Sequence, residues 1–140
     1  MAEEGWTDFM ELIEKLMIEK YGKTVVDHAN NPRNKQMIED VNGYASNTGQ
    51  CGDTIEIWLQ VASDTIEKIA FKSDGCEITQ ASGSMVTELA KGKSIPDALK
   101  INALQLIDAL GGLPDDHIHC AYLATNALHE AIKNYKKNLK

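Results

Sequence analysis

The apolar residues of this 140-residue chain change period twice, and each change marks a structural boundary. From Trp6 to Tyr21 they fall at Trp6, Phe9, Met10, Leu12, Ile13, Leu16, Met17 and Tyr21. That spacing of threes and fours predicts an amphipathic helix with Glu11, Glu14, Lys15, Glu19 and Lys20 on its wet side. Thr7 or Asp8 is expected to cap its start. The helix reads as a cover for part of the core or a dimer contact, with a dedicated partner-docking helix as the alternative. Asn30-Asn31-Pro32-Arg33-Asn34 then predicts a turn, because proline fixes φ and asparagine tolerates unusual backbone angles.

The period next drops to two. In Thr54 to Val61, Ile55, Ile57, Leu59 and Val61 alternate with Thr54, Glu56 and Gln60, although Trp58 interrupts the polar face. Ala62-Ser63-Asp64 can turn the chain into a second strand, Thr65 to Lys72, with poorer alternation. Val41 to Ser46, broken by Gly43, is a weaker third candidate. Beyond Cys76 the helical period returns. Ile78, Met85, Val86, Leu89 and Ala90 predict a helix that Gly92 ends through a left-handed cap. Ser94-Ile95-Pro96-Asp97 opens a short helix, another starts near Asn102 and stops at Gly111-Gly112, and the last runs from about His119 to Lys137. The expected class is α+β, a small antiparallel sheet followed by helices. The chain divides into an N-terminal helical extension, residues 1–20, and one domain, residues 21–140.

Composition narrows the function classes. A net charge of −7 leaves no basic stripe to neutralise phosphates and does not suit an anionic membrane, so neither nucleic acid nor membrane is an expected partner. The start, Met1-Ala2-Glu3-Glu4-Gly5, is acidic, unlike a secretory signal, and no window approaches the roughly 18 apolar residues of a spanning helix. Three cysteines cannot all pair within one chain. Free thiols suit a reducing compartment, so the cytoplasm is expected.

Those cysteines are the strongest chemical signal. Cys51 lies in Gly49-Gln50-Cys51-Gly52-Asp53, Cys76 in Asp74-Gly75-Cys76, and Cys120 in His117-Ile118-His119-Cys120. Thiolates suit zinc and iron–sulfur chemistry, and a carboxylate or imidazole can complete a four-coordinate site. Each cysteine falls at an element boundary: a loop before a strand, a strand-to-helix junction, and the first turn of the last helix. Helix starts carry unpaired N–H groups that favour thiolate over thiol. Glycine beside Cys51 and Cys76 lets the backbone approach a bulky group. Buried cysteines acting as small hydrophobes are the plain alternative.

Further motifs carry a family likeness. Tyr21, Val26-Asp27-His28, Asn31-Pro32-Arg33-Asn34, Cys51-Gly52-Asp53, Gly75-Cys76, Ala81-Ser82-Gly83-Ser84, Gly92-Lys93-Ser94 and Ile118-His119-Cys120 follow one another at the right separations. In these the chain resembles the iron–sulfur cluster assembly scaffolds of the IscU and NifU N-terminal type, over roughly residues 21 to 137. The resemblance implies a three-stranded sheet flanked by helices and a carrier rather than an enzyme. It implies sulfur delivered by a cysteine desulfurase, electrons from a donor such as ferredoxin, and a transient 2Fe-2S cluster passed to apo-proteins. Iron, or zinc in purified protein, would be held by Cys51, Cys76 and Cys120, with Asp53 and His119 exchanging in the fourth position. A carboxylate at that corner is hard and easily displaced, which suits a protein that releases its cargo. Cys120 is the expected sulfur acceptor, and Tyr21 matches a tyrosine that takes part in scaffold dimerisation.

The chain also departs from the pattern. Where IscU-type scaffolds carry Leu-Pro-Pro-Val-Lys, the segment read by a dedicated heat-shock chaperone, this one has Leu113-Pro114-Asp115-Asp116-His117. Chaperone-assisted transfer is therefore in doubt, and His117 becomes an extra candidate ligand against its reading as a plain surface histidine. Glu77-Ile78-Thr79-Gln80 after Cys76 is closer to SufU-type variants, but the long insertion and the lysine of that type are missing. A zinc-dependent SufU-type sulfur acceptor is the runner-up. An enzyme with a cysteine nucleophile paired to His119 or His28 is a weaker alternative, because adjacent helix residues do not face each other. His28 and His129 otherwise read as ordinary helix residues.

Overall fold

The computed structural model describes residues 2–49 and 52–139, with side chains described from residue 8 onward. Its elements run α1 (Ala2–Tyr21), α2 (Lys23–Asn30), β1 (Gly43–Thr48), β2 (Thr54–Ala62), β3 (Thr65–Ser73), α3 (Glu77–Ala90), α4 (Ile95–Leu99) and α5 (Ala103–Ala109). A single 3-10 turn, Asp115–His117, then leads into α6 (Ile118–Asn138). The three strands form an antiparallel meander in the order β1-β2-β3. The expected α+β class with a three-stranded sheet and flanking helices is what the chain adopts. Among the described residues, no helix is long and apolar enough to cross a membrane.

The inner face of the sheet follows from the period of two. Ile55, Ile57 and Leu59 are wholly buried, whereas Thr54, Glu56, Trp58 and Gln60 are half-buried on the other side. Trp58 is kept there by a tilted ring contact with Tyr44 across the β1–β2 ladder, centroids 5.3 Å apart. The β2–β3 hairpin closes through Ser63 and Asp64, both at positive φ, the geometry of a two-residue turn that matches strand twist. α6 lies across β1 and β2, α3 lies against β3, and the two helices pack on each other. Close approach depends on small residues: a Cβ on Gly43 would come within 2.9 Å of the Ala131 carbonyl oxygen and of Tyr135 Cβ.

Helix ends largely obey the local signals. Ser94 and Asn102 cap α4 and α5 by accepting from the N–H groups of Asp97 and Gln105, and Gly92 takes a φ of +81° just past α3. Two boundaries differ from expectation. The first helix begins at Ala2, so Thr7 and Asp8 lie inside it rather than at its start. The segment after Tyr21 is a separate helix, α2, set off by Gly22 at a φ of +92°.

Candidate metal centre

Each described ligand candidate stands at the end of an element. Asp53 immediately precedes β2, Cys76 is the N-cap of α3, and Cys120 lies in the first turn of α6. Cys51, the remaining expected thiolate, lies outside the described residues. Its flanks are held by a tight turn in which Gly49 N–H donates to the Asp53 carbonyl at 2.9 Å and Gly52 N–H to the Gly49 carbonyl at 3.0 Å. Gly52 has a φ of +88° there, where a side chain would be strained.

Asp53 and Cys76 are brought together by the sheet. The Thr54 N–H donates to Asp74 Oδ1 at 2.8 Å, which clamps the start of β2 onto the end of β3. Gly75 lets that junction close. A Cβ there would sit 2.7 Å from Thr79 Cβ and 2.8 Å from Asp53 Oδ2. Packing of α3 on α6 then sets Cys76 beside Cys120.

Thr79 lies at the centre of this arrangement and was not anticipated as part of it. Its side chain is wholly buried, and its hydroxyl is 2.8 Å from Asp53 Oδ2, 3.3 Å from Cys120 Sγ and 3.4 Å from Cys76 Sγ. A hydroxyl has one proton to donate, so the carboxylate and the sulfurs compete for it. The signal available in the sequence was position. Thr79 follows Cys76 by three residues, one helical turn on the same face.

The histidines divide differently from expectation. His117 is half-buried, not a plain surface residue, and its Nδ1 lies 4.0 Å from Cys120 Sγ. Cys76, His117 and Cys120 each place a ligand atom within 4.8 Å of the other two. His119 is exposed, yet its Nε2 reaches 3.7 Å from Cys120 Sγ, closer than the argument about adjacent helix residues allowed. Its ring also borders an open cavity of about 560 Å³ lined by Asn47, Thr48, Tyr122 and Asn126. His28 and His129 are elsewhere: the first bonds Ser84 Oγ at 2.7 Å, the second the Ile101 carbonyl at 2.8 Å. His28 is therefore not a partner for Cys120.

The two described sulfurs differ in access. Cys76 is exposed and Cys120 has no exposed surface. Soft sulfurs, a hard carboxylate and borderline imidazoles on separate elements make a donor set that fits zinc or iron and can change ligands without unfolding.

Comparison with known proteins bears on what the site does. A family model described as the NifU-like N terminal domain matches residues 20–140. The "Iron-sulfur cluster assembly scaffold protein IscU 1" of Archaeoglobus fulgidus is 45% identical over 120 residues, covering 84% of this chain and 78% of that protein. The IscU scaffold of Aquifex aeolicus is 41% identical over 119 residues, covering 83% and 76%. Among solved structures, the N-terminal part of a NifU-like protein from Brucella abortus superposes with a TM-score of 0.68 at 16% identity, covering 86% of this chain and 97% of that one. At that identity the superposition speaks for the fold alone.

Proposed function

Because this chain belongs to the NifU-like N-terminal domain family, we propose that it is a scaffold on which iron–sulfur clusters are assembled and from which they leave. The observation that carries the reading is the meeting of Cys76, Cys120, Asp53 and two imidazoles at the junction of β2, α3 and α6. Cys51, two residues before Asp53, is the third proposed thiolate. Sulfur arrives from a cysteine desulfurase as a persulfide. A scaffold thiolate attacks its outer sulfur, the sulfur–sulfur bond breaks, and the desulfurase cysteine leaves as thiolate. Two electrons from a ferredoxin-type donor reduce each transferred sulfur to sulfide. The cargo is a 2Fe-2S cluster, and apo-proteins receive it.

Cys120 is the proposed sulfur acceptor, and its burial adds a condition: the Asp115–His117 turn beside it must move before a donor can reach it. Asp53 makes the weak corner. Its carboxylate is held by an uncharged hydroxyl and is the hardest donor of the set, so it is the easiest to displace from iron.

Anaerobic reconstitution with iron, cysteine and a desulfurase tests this, followed by absorption spectra and iron, zinc and sulfide counts. About two irons and two sulfides per site are expected for a 2Fe-2S cargo. Retained zinc with no sulfide would transfer the assignment to a zinc-dependent sulfur acceptor.

A further inference from the structure

We infer that the open edge of β1 and the facing side of α6 form a groove for an extended, acidic segment of a cluster-recipient apo-protein, laid along the sheet as a fourth strand. The identity of the partner rests on the scaffold reading; the mode of docking rests on the fold. β1 is the outer strand on its side of the sheet. Hydrogen bonds in an antiparallel ladder come at alternate residues. Gly49 N–H donates toward β2, to the Asp53 carbonyl at 2.9 Å, whereas Tyr44 N–H donates away from it, to Asn134 Oδ1 at 3.0 Å. The odd-numbered residues of β1 therefore bond β2, and Tyr44, Ser46 and Thr48 turn their N–H and C=O groups outward. Ser46 and Thr48 are exposed.

That edge opens onto two cavities lying end to end. One, of about 680 Å³, lies between Tyr44, Ala45 and Ser46 and the α6 residues Glu130, Lys133 and Lys137. The other, of about 560 Å³, lies between Asn47, Thr48 and Gly49 and the α6 residues His119, Tyr122 and Asn126. Positions 119, 122, 126, 130, 133 and 137 recur at threes and fours, so α6 walls the whole edge with a single face. From Tyr44 to Thr48 is about 13 Å at strand rise, room for about five residues of an added strand. Main-chain bonds to such an edge supply affinity, and the flanking side chains supply selectivity.

The two ends of the groove differ in chemistry, and the difference selects the occupant. At the Tyr44 end, Lys133, Lys136 and Lys137 border the cavity with one carboxylate, Glu130, which Lys133 meets at 3.9 Å. In a chain of net charge −7, that local excess of lysine favours an acidic segment. At the Thr48 end, the exposed His119 ring lines the cavity, while Cys120 beside it is wholly buried. A partner arriving along the groove meets the accessible rim of the candidate metal centre before its buried sulfur. That order suits a protein that takes finished cargo with its own thiols, rather than one that must deliver sulfur to Cys120.

The test uses the full chain carrying a reconstituted 2Fe-2S cluster, with an acidic apo-ferredoxin as recipient. Lys133→Glu combined with Lys137→Glu should slow transfer about fivefold at low salt and flatten its dependence on ionic strength. Ser46→Pro removes one outward N–H from an edge strand, where proline is tolerated, and should slow transfer about fivefold at any salt. Desulfurase-driven assembly, and extraction of the cluster by a chelator, should stay within about twofold of the unaltered protein in both variants. Assembly that falls in step with transfer would give the groove to the sulfur donor, and altered extraction would place the effect at the metal centre; either overturns the inference. So does unchanged transfer in the lysine variant, or in a folded Ser46→Pro protein. Hydrogen exchange covers the case in which the proline unfolds β1. Adding the apo-ferredoxin to the metal-free, unaltered chain should protect the Ser46 and Thr48 N–H groups about tenfold, and no protection there overturns the added strand. That measurement needs no cluster, so a chain that never builds one would sink the scaffold reading while the groove is judged separately.

Discussion

Helices α1 and α6 read alike in sequence and end differently in the fold. Each repeats apolar residues at helical spacing. α6 buries its stripe, Ala121, Leu123, Ala124, Ala127, Leu128, Ala131 and Ile132, against β1 and β2. α1 leaves Phe9, Leu12 and Leu16 about half exposed, at 51%, 54% and 54%, and of the elements around it α2 is its main neighbour. The difference lies in side-chain size at the stripe. Alanines on α6 let the backbones of Gly43 and Ala131 approach closely, whereas the stripe of α1 carries Phe9, Leu12, Ile13 and Leu16 and stays largely exposed. Periodicity specifies a stripe, and the stripe's shape decides what covers it.

Core truncation is the harshest test of that contrast. Leu128 is wholly buried, and Leu128→Ala should cost about 3 kcal/mol in denaturant unfolding. Leu12→Ala on α1 should cost less than about 0.5 kcal/mol. Equal costs would mean that α1 is packed in solution and that the comparison fails. Within the packed half, α3 has no room to spare. A Cβ on Gly83 would come 2.6 Å from the Phe71 ring, so Gly83→Ala should destabilise by about 2 kcal/mol through overpacking. A neutral or stabilising result in the same assay would show that the Phe71 ring yields easily.

Much of this was legible beforehand, and the failures share a cause. The alternation at Ile55, Ile57, Leu59 and Val61 set the buried face of β2, and the caps at Ser94 and Asn102 are local hydrogen bonds that residue type announces. Asp53, Cys76, Cys120 and His119 do converge, and motif order pointed to them. What stayed hidden depends on contacts between distant segments. α3 buries Thr79, Ser82, Ser84 and Thr87 as completely as its Ile78 and Val86. Hydropathy places such residues outside, because it does not know that α2, α5, α6 and β3 surround the helix. Thr79 was missed as a site residue for that reason, whereas His117, weighed as an extra ligand, was favoured as a plain surface histidine and is half-buried.

Thr79 carries the packed half into the chemistry. Its hydroxyl lies within reach of a carboxylate and two sulfurs that would otherwise crowd one another. A metal replaces the hydroxyl proton's role, so losing the hydroxyl should disfavour the empty state. Thr79→Val, nearly isosteric, should slow zinc release to a chelator by about tenfold, the worth of one hydrogen bond to a charged group. Thr79→Ser should release at the wild-type rate. Slowing in both variants would assign the effect to packing and remove the hydroxyl from the account. Asp53→Ala should likewise lengthen the life of a reconstituted cluster, measured as slower transfer to an apo-ferredoxin.

The smallest expected effect lies on α2, the element between the two regions being compared. His28 is buried and bonds Ser84 Oγ, which also accepts from the Arg33 N–H at 2.9 Å. Burial, seconded by the charge of Arg33, pushes its pKa below the usual imidazole value, while Asp27 and Glu88 pull the other way. The unfolded chain, with histidine near its ordinary value of about 6.5, therefore takes up the proton first as pH falls. The contribution of neutral His28 is complete above about pH 6.5 and is lost as pH drops through the folded value. Denaturation midpoints should accordingly fall between pH 7.5 and 5.5, and His28→Asn should flatten that slope while lowering stability at both values. An unchanged slope in the variant would mean that the α2–α3 joint tolerates a charged imidazole. Residue 28 would then behave like the loosely held α1 side chains rather than like the packed interior of α3.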